Sequence, residues 1–325
     1  MKWRNSRIYR VSLPLLKPIL VRGQEQFTRD IIRIEQESWD GRKAYAECSP
    51  LPGLHEETLE ECLAAAKEYL ALPAFASMDL PPSLKTALEI LEWQLDIPEL
   101  KLFPDAFENS ALVTVPAAED HAEVIASLTD ARVIKVKIGT RDLNNSRRFL
   151  EALSKARPDR ELRLDCNQAF ENCGIDEVKQ LMEGLPVRYV EEPFSDITKL
   201  KAFARIIPIA LDESLGLDSE LDSLATAWVI KPNRFGWQKA LELFAHPSPQ
   251  DKILSNSFES LATLQLYAWA YRRFVVNPKP CGLGTAFYMA DEVKIGSWNP
   301  KTFLADWPYE AIADYSERGE LVWEN

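Results

Sequence analysis

Lys137, Asp165, Glu191, Asp212 and Lys231 follow one another at intervals of 28, 26, 21 and 19 residues, each within or just after a short apolar run. Each interval is about the length of one βα unit. An ionisable side chain at the end of successive strands builds a polar floor at the mouth of a parallel barrel. Three of the five are carboxylates, bracketed by two lysines. Three converging oxygen ligands suit Mg²⁺, with Mn²⁺ as a substitute, and leave positions for water and substrate while the lysines move protons. The pattern points to a metal-dependent lyase or isomerase.

The local sequences say which way each side chain faces. In Val133–Ile138, period two sends Lys135 and Lys137 to the face opposite Ile134, Val136 and Ile138. Two ammonium groups crowded near a divalent metal disfavour each other's charge, which lowers a lysine pKa towards that of a useful base. Lys137, nearer the strand's carboxyl end, is the expected base. Arg163, Asp165 and Asn167 share an inward face, with Asp165 at the strand's end as a metal ligand and Arg163 and Asn167 as candidate substrate contacts. Of Glu191 and Glu192 only one can face inward, and the phase favours Glu191; Pro193 ends that strand. Asp212 is favoured in the same way, with Glu213 the alternative. Lys231 closes the apolar run Trp228–Ile230 and is expected to face Lys137 across the barrel. Ser255, Asn256 and Ser257, with Gly282 and Gly284, can offer hydroxyls and backbone N–H groups to a carboxylate, although such residues are also ordinary turn formers. Removing a proton α to a carboxylate creates a dianion that water barely stabilises, so the chemistry needs both a cation and a positioned base. His55, His121 and His246 fall outside the strand ends and are expected at the surface.

Regular elements must hold these groups in place. Arg7 to Glu47 alternates in period two around the Asp40-Gly41 turn and reads as an antiparallel sheet. Ser49–Gly53 interrupts it, and Thr58–Leu72 has helical periodicity, so residues 1–80 are expected to form a small α+β domain. Ser83 can cap a helix through Leu95. Strands are expected near 111–115, 133–138, 161–165, 187–191, 207–211, 226–230 and 251–255. Helices are expected at about 118–128, 143–155, 175–182, 197–206, 236–245 and 260–272. Seven such strands imply a barrel over residues 81–297. An eighth is expected near Arg273–Val276, and the tail from about 298 to 325 is expected to complete the small domain.

A chain of 325 residues, 46% hydrophobic and 27% charged, can bury a full core. Its net charge of −12 argues against nucleic acid or an anionic membrane as partner. Five cysteines without CxxC spacing read as reduced thiols rather than a zinc site. No run of 18 apolar residues exists and no export signal is recognisable, so a cytoplasmic location is expected.

The segments KVKIG at Lys135, LDCN at Leu164, VEEP at Val190, LDES at Leu211 and IKP at Ile230 resemble the enolase superfamily, for which a lysine base with Mg²⁺ is a known pattern. Ala46–Gly53 with Glu57-Thr58, and Ser255–Ser260, are similar to the o-succinylbenzoate synthase family of menaquinone biosynthesis. The resemblance spans nearly the whole chain. It implies an α/β fold in which an α+β cap sits over a modified (β/α)7β TIM-type barrel, with specificity lying partly in the cap. By position it implies Asp165, Glu191 and Asp212 as metal ligands, Lys137 as base, Lys231 as the group stabilising the enolate and Lys135 as an assistant. The implied reaction is syn loss of water from 2-succinyl-6-hydroxy-2,4-cyclohexadiene-1-carboxylate, a small dicarboxylate, to give o-succinylbenzoate. Cys166, Asn256 and the residues after Lys231 depart from the family's usual choices and loosen the substrate assignment. An N-acylamino acid racemase or dipeptide epimerase would need the same lysines and metal. A non-catalytic barrel that binds a partner is the alternative from another class. Oligomeric state is left open.

Overall fold

The computed structural model describes residues 3–21, 23–72, 78–97, 107–128, 130–139, 142–289, 302–303 and 319–324. A long hairpin comes first: β1 (Trp3–Val21) runs antiparallel to β2 (Gln24–Ser38). Gly23, at φ 84°, lies between them in backbone space that a Cβ disfavours. β3 (Lys43–Cys48) adds along β2. Alternation buries Ile32, Ile34, Ala44 and Ala46 in the main core, and Val11, Leu13 and Ile31 in a second cluster with Met289.

α1 (Leu59–Ala71) starts at Thr58, whose hydroxyl accepts from the Glu61 N–H at 3.2 Å while the Glu61 carboxylate accepts from the Thr58 N–H at 2.8 Å. α2 (Pro82–Asp96) begins after Pro81, two residues earlier than a Ser83 cap would place it. Pro82 has the φ a helix's first residue needs, and the Ser83 N–H and hydroxyl are both taken by Glu57, at 2.9 and 2.5 Å. On one side Gln94 of α2 exchanges bonds with the Tyr45 backbone at 2.6 and 3.1 Å. On the other Trp93 meets Trp237 and Trp269 edge-on at 4.9 and 5.2 Å, clamping the helix to the barrel's outer layer.

After β4 (Phe107–Glu108), strands and helices alternate. β5 (Ala111–Thr114) leads to α3 (His121–Ser127), β6 (Val133–Lys137) to α4 (Leu143–Ala156), and β7 (Glu161–Asp165) to α5 (Ile175–Met182). β8 (Val187–Glu191) leads to α6 (Ile197–Ala204), and β9 (Ile209–Leu211) to α7 (Ser219–Leu224). β10 (Ala227–Ile230) precedes α8 (Pro232–Phe235) and α9 (Trp237–Ala245), and β11 (Asp251–Leu254) precedes α10 (Leu261–Phe274). β5 to β11 form one seven-stranded parallel sheet in sequence order. Asp142, Asp196, Asp218 and Ser260 each cap the helix they precede, accepting from backbone N–H groups in its first turn. Leu162, Leu164 and Val190 point out to the helices, while Tyr189, Ala210, Ala227, Val229 and Ile253 form a separate apolar layer. The expected α/β barrel with its capping sheet is therefore present.

The eighth strand is not at Arg273–Val276. Arg272 and Arg273 lie in the last turn of α10, where cations suit the helix dipole, and Val276 is fully exposed. The gap is bridged instead by two residues, Cys281 and Gly282. Cys281 pairs with Asn109 and Gly282 with Ser255, through backbone bonds from Ser110 to Cys281 (2.8 Å), Cys281 to Glu108 (2.9 Å) and Gly282 to Leu254 (2.8 Å). Of the tail, β12 (Thr302–Phe303) pairs with β4, and β13 (Glu320–Glu324) pairs with β1. The rest of the tail expectation lies outside the described residues.

Cap and barrel meet along a buried polar seam. Arg29 of β2 donates to the carbonyls of Ser49 (2.9 Å), Pro50 (3.0 Å) and Phe258 (3.0 Å). Glu47 accepts from the hydroxyls of Ser260 and Thr263, and Asn233 donates to the Ser49 carbonyl at 3.1 Å.

Candidate active site

Strand register sets the row. Thr114 pairs with Lys137, Lys137 with Asp165, and Asp165 with Glu191, so these residues stand side by side at the strands' carboxyl ends. Glu191 pairs with Ala210, which places Asp212 two residues further on, just past β9. Lys231 follows the last residue of β10.

The charges are tightly interlocked. Lys135 Nζ donates to Glu191 Oε1 at 2.8 Å and lies 3.0 Å from Asp165 Oδ2, while Lys231 Nζ donates to Asp212 Oδ2. Lys137 has no ion-pair partner within 4.0 Å among the described residues. Burial and the neighbouring Lys135 and Lys231 lower its pKa, against the pull of Asp165. Burial also opposes charge on Lys135 and Lys231, but Asp165 and Glu191 overcome it for the first and Asp212 and Glu213 for the second, so both pKa values are raised. Glu191 is pushed up to about 8 by burial and by repulsion from Asp165 and Asp212. Asp165 is buried too, yet Lys135 and Lys137 hold its pKa below the ordinary value. Among the described residues Asp212 Oδ1 is buried with no hydrogen-bond partner. Among the described residues no three acids are gathered closely enough to hold an ion as they stand, because the ammonium groups lie against them.

Neighbouring residues hold this row in place. Asn167, at φ 43°, donates to Asp165 Oδ1 at 2.7 Å. Glu192, also at positive φ, accepts from the Asp212 N–H at 2.9 Å and from the Ser214 hydroxyl, tying the end of β8 to that of β9. Arg234 donates to the carbonyls of Asp212 and Glu213. The alternative acid Glu213 keeps one oxygen buried and unpartnered, and burial followed by Asp212 repulsion raises its pKa.

A cavity of about 730 Å³ opens over the row. Thr114, Lys135, Lys137, Asp165, Asn167 and Lys231 line its floor. Ser255, Asn256, Ser257, Gly282 and Gly284 form a side wall, and Lys17 and Leu51 come from the cap. Gly282 and Gly284 are places where a Cβ would press within 3.2 Å of Ser255 Oγ and of Leu112 Cβ. A second cavity of about 560 Å³ shares Leu54, Glu213, Lys231 and Ser257 with the first.

Three expected placements differ. His121 is half-buried rather than at the surface, its ring edge-on to Phe149 at 5.1 Å. Arg163 shares the inward face but pairs with Lys135, one pleat below Asp165. Its guanidinium is used by Glu161 (2.9 Å), the Pro280 carbonyl (2.7 Å) and the Tyr189 ring, and it does not line the cavity. His55 is half-buried rather than at the surface: it lines the second cavity, its Nδ1 accepts from the Leu51 N–H at 2.7 Å, and burial pulls its pKa down to about 4. Thr114, Glu192, Arg234 and Lys17 had not been anticipated at the site. The alternation that selects Lys137 also reaches Thr114; the other three depend on loop and bulge geometry.

Fold and site together define a capped α/β barrel with its ionisable groups at the strand ends. Two sequence families match, one described as "Enolase C-terminal domain-like" over residues 117–228 and one as "MenC, N-terminal domain" over residues 3–87. Curated relatives named o-succinylbenzoate synthase include that of Pectobacterium atrosepticum, 28% identical over 99% of this chain and 100% of the relative. Another, from Haemophilus influenzae, is 27% identical over 90% and 93%. Among solved structures, an enolase-superfamily member from Listeria innocua aligns with TM-score 0.79 at 18% identity, covering 100% of this chain and 98% of that one. An N-succinyl Arg/Lys racemase from Bacillus cereus aligns with TM-score 0.76 at 18% identity, covering 100% and 99%. Residues 117–228 thus resemble an enolase C-terminal domain and residues 3–87 a MenC N-terminal domain, and the whole chain shares the fold of enolase-superfamily structures. Among the described residues no helix is long and apolar enough to cross a membrane.

Proposed function

We propose that this chain is a divalent-metal-dependent lyase that converts 2-succinyl-6-hydroxy-2,4-cyclohexadiene-1-carboxylate to o-succinylbenzoate. The observation that carries the reading is a lysine of lowered pKa, Lys137, in one cavity with Lys231 and Asp165. Similarity to o-succinylbenzoate synthases along nearly the full chain supports the choice of substrate.

The acid row fits a divalent ion. Among the described residues Asp212 Oδ1 is buried and unpartnered, and Glu191 resists ionisation because it is buried and repelled by Asp165 and Asp212, two features that a cation would relieve. Asp165, Glu191 and Asp212 would hold the ion, Mg²⁺ or Mn²⁺. When bound it draws electron density from the substrate carboxylate and makes the α proton easier to remove.

Lys137, poised towards its neutral form, takes that proton, a contribution of about 10²–10⁴-fold in rate. Lys231 stays charged beside Asp212 and offsets the negative charge that develops on the substrate. In a syn elimination the proton and the hydroxyl leave from one face, so the ammonium formed on Lys137 can return the proton to the departing hydroxyl. One water is released, the ring becomes aromatic and the base is regenerated. Lys135 remains charged between Asp165 and Glu191 and sustains the low pKa of Lys137. Arg234 and Glu192 position Asp212 through its backbone.

A second reading is supported by the same pair of lysines, because racemisation or epimerisation needs one proton-transferring group on each face of the carbon. An ultraviolet assay for o-succinylbenzoate formation with and without EDTA, run beside a racemisation assay on N-succinyl amino acids, separates the two. Absence of EDTA-sensitive o-succinylbenzoate formation would refute the first.

A further inference from the structure

The cavity that holds Lys137, Asp165 and Lys231 is lined by β1 of the cap as well as by the barrel. The pairing of β1 with β2 shifts register between Pro14 and Ile19, so the residues between them bulge out of the hairpin. Leu15 bridges to Met289 instead. Beside Met289, Tyr288 lies with its ring 4.9 Å from Lys17 Nζ, and both residues line the cavity. Tyr288 in turn meets Phe258 edge-on at 5.6 Å, and the Phe258 carbonyl is held by Arg29. A backbone bridge and a buried arginine thus brace the seat of Lys17.

Four lysines line this cavity. Lys135 and Lys231 are matched to acids, and Lys137 is the proposed base. Lys17 has no carboxylate within 4.0 Å among the described residues. An aromatic face holds an ammonium in place without neutralising it, which leaves its N–H groups free to meet an anion. We propose that Lys17, seated on Tyr288, receives the substrate's second carboxylate, the one remote from the reacting carbon, and so selects dicarboxylates. The inference rests on the reading above, in which the first carboxylate occupies the acid row.

Lys17→Met keeps the length of the side chain and removes its charge. Steady-state rates are measured for both proteins, together with calorimetric binding of o-succinylbenzoate and of its ester on the succinyl carboxylate, all with Mg²⁺ present. For Lys17→Met we expect KM for the cyclohexadiene substrate to rise about tenfold with kcat changed by less than about twofold. Affinity for o-succinylbenzoate should fall by a similar factor, affinity for the ester should hold, and Lys17→Arg should restore binding to within about threefold of the parent. Unchanged KM and product affinity in a folded Lys17→Met protein would overturn the assignment, as would an equal loss for acid and ester. Failure of the parent protein to form o-succinylbenzoate is a separate result, one that removes the functional reading itself.

Discussion

The strand-end floor and the cap–barrel seam are both buried and polar, but they are put together differently. On the floor, lysines bond to carboxylates, side chain to side chain, and among the described residues Lys137 has no ion-pair partner and Asp212 Oδ1 is unsatisfied. At the seam, the cation of Arg29 and the amide of Asn233 bond to backbone carbonyls, and the Glu47 carboxylate accepts from the neutral hydroxyls of Ser260 and Thr263. A side-chain partner can be exchanged when a ligand arrives, whereas a carbonyl cannot leave without moving the chain. Burying charge is costly wherever it is done. The floor pairs ionised side chains that a ligand can displace, and the seam uses its arginine to tie β2 to the loops around Ser49 and Phe258.

The sharpest way to break this contrast is Lys137→Ala, which should lower kcat by about 10³-fold or more, with the melting temperature and calorimetric Mg²⁺ binding retained. Near-normal turnover would remove Lys137 from the chemistry. Asp165→Asn should weaken Mg²⁺ at least about tenfold by calorimetry, since even indirect partners of metal ligands are worth that much. Unaltered affinity would show that the row does not hold the ion. At the seam, Arg29→Met leaves three carbonyls without their donor and should cost about 3 kcal/mol in denaturant unfolding. A loss under about 1 kcal/mol would mean that the seam is not a clamp.

The smallest effect expected is at His55. Burial lowers its pKa from 6.5 to about 4, so the fold favours neutral imidazole. Its contribution is complete above pH 6.5 and drains away as pH falls towards 4, about 2 kcal/mol after allowing for partial exposure. His55→Gln should flatten that acid limb in unfolding measured at several pH values. An unchanged slope would place the titration elsewhere.

Much of the barrel could be read from the chain because its signals are local. Period two fixed the inward faces of β6 to β8, and helical periodicity located α4, α6 and α10. The eighth strand was misplaced because Val275 and Val276 look like strand residues, while the actual closure, Cys281-Gly282, is too short to carry a period. Arg163 shows that alternation reports the face and not the depth: one pleat below Asp165 it meets Glu161 and Pro280 instead of the cavity. Lys17 and His55 reach their places through a register shift and a loop, neither of which leaves a trace in hydrophobic spacing.

The two-residue closure also determines how the barrel yields. Neighbouring strands in the sheet share ladders of up to five paired residues, as between β6 and β7, whereas the last stave is fastened at one rung on each side. Transient opening of the wall is therefore expected to begin at Cys281 and Gly282, and hydrogen exchange should find their amide protons ahead of those in the ladder between β6 and β7. The hoop has a clasp, and it lies beside the wall formed by Ser255 and Asn256.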